Sequence, residues 1–179
     1  MKNIGISFLL ILFSINYLVA QDSSNKLKGL DVGFQLNQFQ QDFGIGLNVA
    51  FPAIIKDRLV IHLRGNWMWN QHVYKNESTW SDYANLMLGL SSPKAMISKQ
   101  IGLYGEGGVI AILPNQRFSS EDALIGGYGL FGFEFFFDPS FNYFIELGGV
   151  GTSATEDKLP GKEIYSNGFM TTVGFRICL

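Results

Sequence analysis

Eight segments of the chain alternate large apolar side chains with small or polar ones, and this period of two is the strongest constraint on its fold. Successive side chains of a β-strand point to opposite faces of a sheet, so the pattern predicts strands with two unlike faces. In the second segment, for example, Phe43, Ile45 and Leu47 alternate with Gly44 and Gly46. The eight predicted strands span residues 29–37, 43–51, 58–69, 79–90, 99–111, 124–137, 142–151 and 167–179.

The connections between the predicted strands alternate in length and polarity. Compact turns are expected at 52–57, 91–98 and 138–141, a short turn at 38–42, and longer, more polar loops at 70–78, 112–122 and 152–166. Short turns at one rim and longer loops at the other are typical of an up-and-down barrel. The sequence therefore predicts an all-β fold, a single eight-stranded antiparallel up-and-down β-barrel.

The composition of the two strand faces decides which one points outward. The chain is 47% apolar and only 16% charged, and it contains 21 glycines. A barrel standing in water needs an outer face rich in Lys, Glu and Thr, whereas the less apolar face here carries about one charge per strand among Gly, Asn, Gln, Tyr and Met. We therefore predict that the apolar face is the outer one, that the barrel is transmembrane, and that its narrow interior is filled by side chains.

Aromatic residues cluster near the ends of the predicted strands, where membrane barrels carry interfacial girdles. The girdle predicted at the compact turns contains Phe51, Phe135, Phe137, Phe141 and Tyr143. The girdle predicted at the long loops contains Phe43, Trp67, Trp69, Trp80, Phe118 and Phe169.

The first 28 residues differ from the rest. Residues 1–20 carry one charge, Lys2, then an apolar run and the small-residue ending Leu18-Val19-Ala20, which is typical of a secretory signal peptide. Residues 21–28 form a short N-terminal segment, expected in the periplasm, and the barrel is assigned to 29–179. A net charge of −2 and a single cysteine, Cys178, argue against nucleic-acid binding, an internal disulfide and a cysteine-rich metal site.

With a signal sequence, eight alternating segments, asymmetric loops and a last strand that runs to Leu179, the chain resembles the small OmpA/OmpX-like outer-membrane barrels of Gram-negative bacteria. The resemblance implies a multi-pass β-barrel in the outer membrane after Sec-type export, with both termini in the periplasm. It implies contact with outer-membrane lipids and with the barrel-assembly machinery, which reads the final residue. That residue is usually Phe in the family, and here it is Leu179.

Six charged residues are predicted to point into the barrel. They are Asp31, Arg64, Glu106, Glu134, Glu146 and Arg176. Counted from the compact turns, Glu134, Glu146 and Arg176 should be neighbours, with Asp31 beside them after closure of the barrel, while Arg64 and Glu106 lie higher and form a second layer. Buried charges require partners, so we expect a structural salt-bridge plug.

A second candidate site is an aromatic loop that could dock an extracellular glycan or protein. Its residues are Trp67, Trp69, His72, Tyr74 and Trp80. The expected role is therefore structural or surface-binding, without catalysis, cofactor or metal. The main alternative is a small channel or porin-like carrier; the others are a lipid-modifying enzyme that uses His62 or His72, and a soluble lipocalin-like ligand-binding barrel.

Overall fold

A computed structural model describes residues 29–74, 77–138, 140–159, 161 and 163–179. The predicted signal peptide 1–20 and the segment 21–28 lie outside the described residues. Within these residues, nine strands follow one another: β1 Asp31–Phe39, β2 Asp42–Ala50, β3 Val60–Tyr74, β4 Glu77–Ser91, β5 Ala95–Met96, β6 Ile101–Leu113, β7 Leu124–Asp138, β8 Phe141–Gly151 and β9 Gly168–Cys178.

The eight long strands form a closed antiparallel barrel. Each long strand pairs with the next long strand in the chain, so that β4 pairs directly with β6. The pairing of β1 with β9 closes the sheet. The predicted eight-stranded up-and-down barrel is therefore confirmed. Among the described residues, no helix is long and apolar enough to cross a membrane.

The two faces of the barrel are sorted as predicted, with charges inside and apolar side chains outside. Arg64 and Glu146 are 1% and 0% exposed, whereas Leu47 and Phe131 are 64% and 60% exposed. A water-soluble fold buries its large apolar side chains and exposes its charges. The barrel shows the reverse order along most of its height, so its outer surface suits an apolar environment.

The hairpin of β3 and β4 is longer than the sequence predicted, and the expectation of a loop at 70–78 was wrong. Pairing continues through Asn70↔Ser81, Gln71↔Trp80 and His72↔Thr79. The apolar alternation ends near Trp69, but backbone pairing does not depend on apolar side chains. The change in polarity marks the edge of the apolar outer belt and not the end of the strands.

The predicted compact turn at 91–98 contains the short strand β5. Ala95 pairs with Leu103 and Met96 pairs with Gly102, so the chain folds back along the lower end of β6 before β6 begins. This fold holds the preceding residue, Lys94, at the base of the barrel.

Phe118 does not belong to the outer aromatic girdle in which the sequence analysis placed it. Its side chain is 0% exposed and packs inside the mouth of the barrel. Phe118 lies in a long connection, where no strand periodicity shows which way a side chain points. The girdle prediction failed there because it used position along the chain alone.

Candidate functional site

Strand alternation places the charged side chains of six strands in the lower half of the interior. Arg64 of β3 meets Glu146 of β8 at two points, Nη1 to Oε2 at 2.5 Å and Nη2 to Oε1 at 2.9 Å. The same Nη2 also lies 2.5 Å from Oε2 of Glu106 on β6. One buried guanidinium on β3 therefore joins two carboxylates, one on β6 and one on β8.

Arg176 of β9 extends this network downward. Its Nη2 lies 3.0 Å from Oε1 of Glu146, and its Nη1 lies 3.5 Å from Oε2 of Glu134. Its Nε donates to Oδ1 of Asn48 at 2.9 Å, and its guanidinium lies 3.9 Å from the ring centroid of Phe144. Since Glu146 contacts both arginines, the two layers expected from the sequence are a single continuous network.

Lys94 completes the charges at the base, although the strand pattern did not predict it. Its Nζ lies 2.8 Å from both carboxylate oxygens of Glu134 and 3.9 Å from Oδ2 of Asp31. Asp31 also accepts a hydrogen bond from the Cys178 thiol at 2.6 Å. The inward residues predicted from the sequence number four carboxylates against two arginines, and this imbalance was the available signal that another cation is needed.

His62 lies between a hydroxyl and a carboxylate, an order that also occurs in hydrolases. Its Nε2 is 3.0 Å from Oγ of Ser91, and its Nδ1 is 3.4 Å from Oε2 of Glu106. However, that Glu106 oxygen also binds Arg64 at 2.5 Å, which neutralises the carboxylate that would support a charged imidazole. Ser91 itself is 3% exposed, so the arrangement favours a structural role for the histidine.

Side-chain amides occupy the level above the charges, and sequence reasoning did not single them out. Oδ1 of Asn66 accepts hydrogen bonds from Gln35 and Asn37, each at 2.8 Å. The Asn66 amide in turn donates to Oδ1 of Asn85 at 2.7 Å, and Thr172 donates to Asn37 at 3.1 Å. These bonds pair buried polar groups across β1, β3, β4 and β9.

An aromatic cluster fills the upper end of the interior. The rings of Phe118 and Tyr165, both from long loops, lie 5.0 Å apart, and Tyr83 of β4 lies 5.2 Å from Tyr165, all edge to face. Asp42, at the start of β2, accepts a hydrogen bond from the Tyr83 hydroxyl at 2.6 Å and another from the Ser166 backbone at 2.7 Å. These contacts hold the loops down in the mouth of the barrel.

The two loops that supply Phe118 and Tyr165 are also bonded to each other. We call the described residues of 114–123 and 152–167 the lid. Asp157 accepts hydrogen bonds from the hydroxyl and the backbone N–H of Ser120, which lower the pKa of its carboxyl. The Lys158 backbone donates to the Phe118 carbonyl at 3.1 Å. Burial raises the pKa of Glu156, whose carboxylate accepts a hydrogen bond from Asn70, and it raises the pKa of Tyr165 to about 12.

The five residues predicted as one docking loop do not form a common surface. Trp67 and Trp80 are 50% and 51% exposed on the outer face of the β3–β4 hairpin, and Trp69 lies on the same face, stacked on Phe43 at 6.4 Å. His72 points inward, is 9% exposed and lies 6.3 Å from the Phe118 ring, so its predicted place in an exposed loop was wrong. Tyr74 ends β3, and its side chain lies outside what the structure describes.

The described interior is thus occupied at three levels, by ion pairs, amides and aromatic rings. Within the described ranges, no group of three or more His, Cys, Asp or Glu residues is placed to hold a metal ion. Chemically, the arrangement pairs its own buried charges with one another.

Comparison with known proteins gives one informative likeness. The chain superposes on the N-terminal β-barrel domain of Pseudomonas aeruginosa OprF with a TM-score of 0.58 at 10% identity, covering 84% of this chain and 97% of that one. The chain shares the closed barrel fold of that domain. Ail, the attachment invasion locus protein of Yersinia pestis, aligns with a TM-score of 0.47 at 10% identity, covering 84% of this chain and 97% of Ail. No protein-family model and no curated protein matches the sequence.

Proposed function

We propose that this protein is an integral outer-membrane β-barrel with a structural or surface-binding role and an interior filled by side chains. The observation that carries the proposal is the sorting of the two faces. Buried arginines and carboxylates line the inside, while Leu, Ile, Phe and Trp side chains stand exposed around the outside. Covering such an apolar surface with lipid hydrocarbon has no free-energy cost, whereas exposing it to water is unfavourable.

The filled interior supports a structural role over an open pore. Eight strands enclose little more than the volume of their inward side chains. Here Lys94, Arg176 and Arg64 occupy the lower half, and Phe118 and Tyr165 occupy the mouth. The protein would stabilise the membrane around it and present its lid to the exterior.

The direct test is to fractionate cells that express the full chain and to run the membrane fraction on a denaturing gel with and without boiling. We expect the protein in the outer-membrane fraction, migrating faster before boiling because the closed barrel resists detergent. Recovery in the soluble periplasmic fraction without a heat-dependent shift would overturn the proposal and favour a soluble ligand-binding barrel.

A small channel is the second candidate, and the continuous polar column favours it. Ion pairs and amides follow one another from Lys94 at the base to Asn85 near mid-height, so a rearranged network could admit water. Conductance in planar bilayers separates the two roles. A closed wild-type barrel that conducts after Arg176→Ala supports the plug, whereas steady conductance by the wild type supports the channel.

The surface-binding role requires a partner at the lid, either an extracellular glycan or another protein. The hydrogen bonds between Ser120 and Asp157 support this role. Binding to a rigid surface is stronger because no free energy is lost in ordering a flexible loop. Cells that display the wild type should bind to an array of surface glycans or proteins. Cells that display Phe118→Ala, in which the lid is loosened, should not bind to it. Equal binding by both would argue against the lid as the docking surface.

A further inference from the structure

A groove on the outer surface of the barrel crosses β2, β3 and β4 at Gly65. It has a volume of about 570 Å³, and its walls include Ile45, Leu47, Trp67, Leu86 and Leu113. Binding sites for small molecules commonly measure about 300–1,000 Å³. No charged residue is among those that line the groove, so its surface suits an apolar occupant.

A missing side chain makes the groove. Gly65 points outward on β3 and pairs with Leu47 on one side and Leu86 on the other, so two long side chains flank an empty position. A Cβ at Gly65 would meet only Cδ1 of Leu86, at 4.0 Å. Packing within the barrel therefore does not require glycine at this position. Trp67, the next outward residue on β3, adds a large wall beside the notch.

The groove differs from a second outward glycine region on the barrel. Gly107, Gly129 and Gly149 pair in one row across β6, β7 and β8, and a Cβ at each would meet only a backbone oxygen at ordinary contact distance, 3.6–3.9 Å. Neighbouring glycines leave that region flat, without paired leucine walls. A substitution at Gly129 therefore changes an outward glycine without touching the groove.

Water is a poor occupant of the groove. An ordered water molecule needs two to four polar partners, whereas the exposed side chains here are those of Leu47, Trp67 and Leu86, each at least half exposed. The groove is continuous with the apolar belt that surrounds the barrel. A stable dimer would require about 800 Å² from each partner, far more than a notch one side chain deep supplies.

We propose that the Gly65 groove holds one acyl chain of a membrane lipid, which lies between Leu47 and Leu86 and against the Trp67 ring. The proposal rests on the membrane placement proposed above. Lipid elsewhere on the belt touches a convex surface and exchanges freely, while a chain in the groove is contacted on three sides. The occupant is identified by its hydrocarbon chain and not by its headgroup, since no charge lines the groove.

The test uses the full barrel folded into vesicles of phosphatidylethanolamine and phosphatidylglycerol, doped with phosphatidylcholine that carries a photoactivatable diazirine on one acyl chain. Cross-linked peptides are then mapped by mass spectrometry. We expect the cross-links to be concentrated on β2 and β4, the two strands that flank the groove at Gly65. Gly65→Leu should reduce them about tenfold, the factor that follows from displacing roughly two buried methylene groups.

Gly129→Leu is the matched control, because a Cβ there has its nearest neighbour at 3.9 Å and the residue also faces outward. It should leave the cross-links at the groove unchanged. Undiminished cross-linking in Gly65→Leu, labels spread evenly over the belt, or a cross-linked dimer in place of lipid adducts would each overturn the proposal. A wild-type chain that never enters the vesicles would instead overturn the proposed membrane function, which the heat-dependent gel shift reports separately.

Discussion

Arg64 and Glu146, on strands that are not neighbours in the barrel, bind each other through two parallel contacts of 2.5 and 2.9 Å across the interior. Both side chains are almost completely buried. A paired guanidinium and carboxylate is the strongest type of ionic hydrogen bond available to side chains. The pair therefore connects opposite walls of the barrel through its interior.

Replacing Arg64 with methionine should lower the free energy of unfolding by about 3–5 kcal/mol, because the buried Glu106 would lose its arginine partner and the buried Glu146 would keep only Arg176. Urea titration of the refolded barrel, followed by the heat-dependent gel shift, measures the loss. Adding Glu106→Gln and Glu146→Gln to Arg64→Met should recover most of it. A single variant as stable as the wild type would show that the network contributes little to stability.

Lys94 should contribute more to the stability of the barrel than any other residue of its turn. Lys94→Met removes the cation at 2.8 Å from Glu134, and we expect a loss of about 1–3 kcal/mol because the site is partly open to solvent. Lys99→Met, in the same connection but exposed, is the matched control and should change stability by less than about 0.5 kcal/mol. Equal losses in both variants would mean that Lys94 has no special role in closing the base.

The strand-based part of the site could be predicted from the sequence, since alternation alone assigns Arg64, Arg176 and Glu146 to the inner face. The two-residue period shows which face a side chain occupies, but it does not show how far that side chain reaches. The joining of the two charge layers through Glu146 depends on long arginine side chains and was beyond that reasoning.

The parts of the site that come from connections could not be predicted. Lys94 reaches the base because β5 folds the turn back along β6, and Phe118 enters the mouth because its loop bends over the rim. Neither direction is encoded in a local period. His72 was misplaced for a related reason, because its strand continues beyond the apolar belt.

Phe118→Ala should loosen the lid while leaving the barrel closed. The side chain is fully buried among aromatic rings, and removing such a ring costs about 3–5 kcal/mol where the surroundings cannot collapse. We expect rapid proteolytic cleavage within 114–123 and 152–167 together with an unchanged heat-dependent gel shift. Arg117→Ala, the exposed neighbour, should remain resistant; cleavage of both variants at the same rate would contradict the assigned role of the ring.

Glu156 should make closure of the lid depend on pH. Burial raises the pKa of its carboxyl above the ordinary value of 4.5, so the closed lid favours the protonated form. The stability that this group contributes is therefore fully present below about pH 4.5 and is lost as the pH rises through the raised pKa. Amide hydrogen exchange of Leu159 and Tyr165, corrected for the intrinsic exchange rate at each pH, measures the effect. Both amides are bonded within the lid, to the carbonyls of Glu156 and Ala154. Protection should fall as the pH rises above about 4.5 in the wild type and fall less in Glu156→Gln, which keeps an acceptor for Asn70. Protection that falls equally in both proteins would assign the pH dependence to another group.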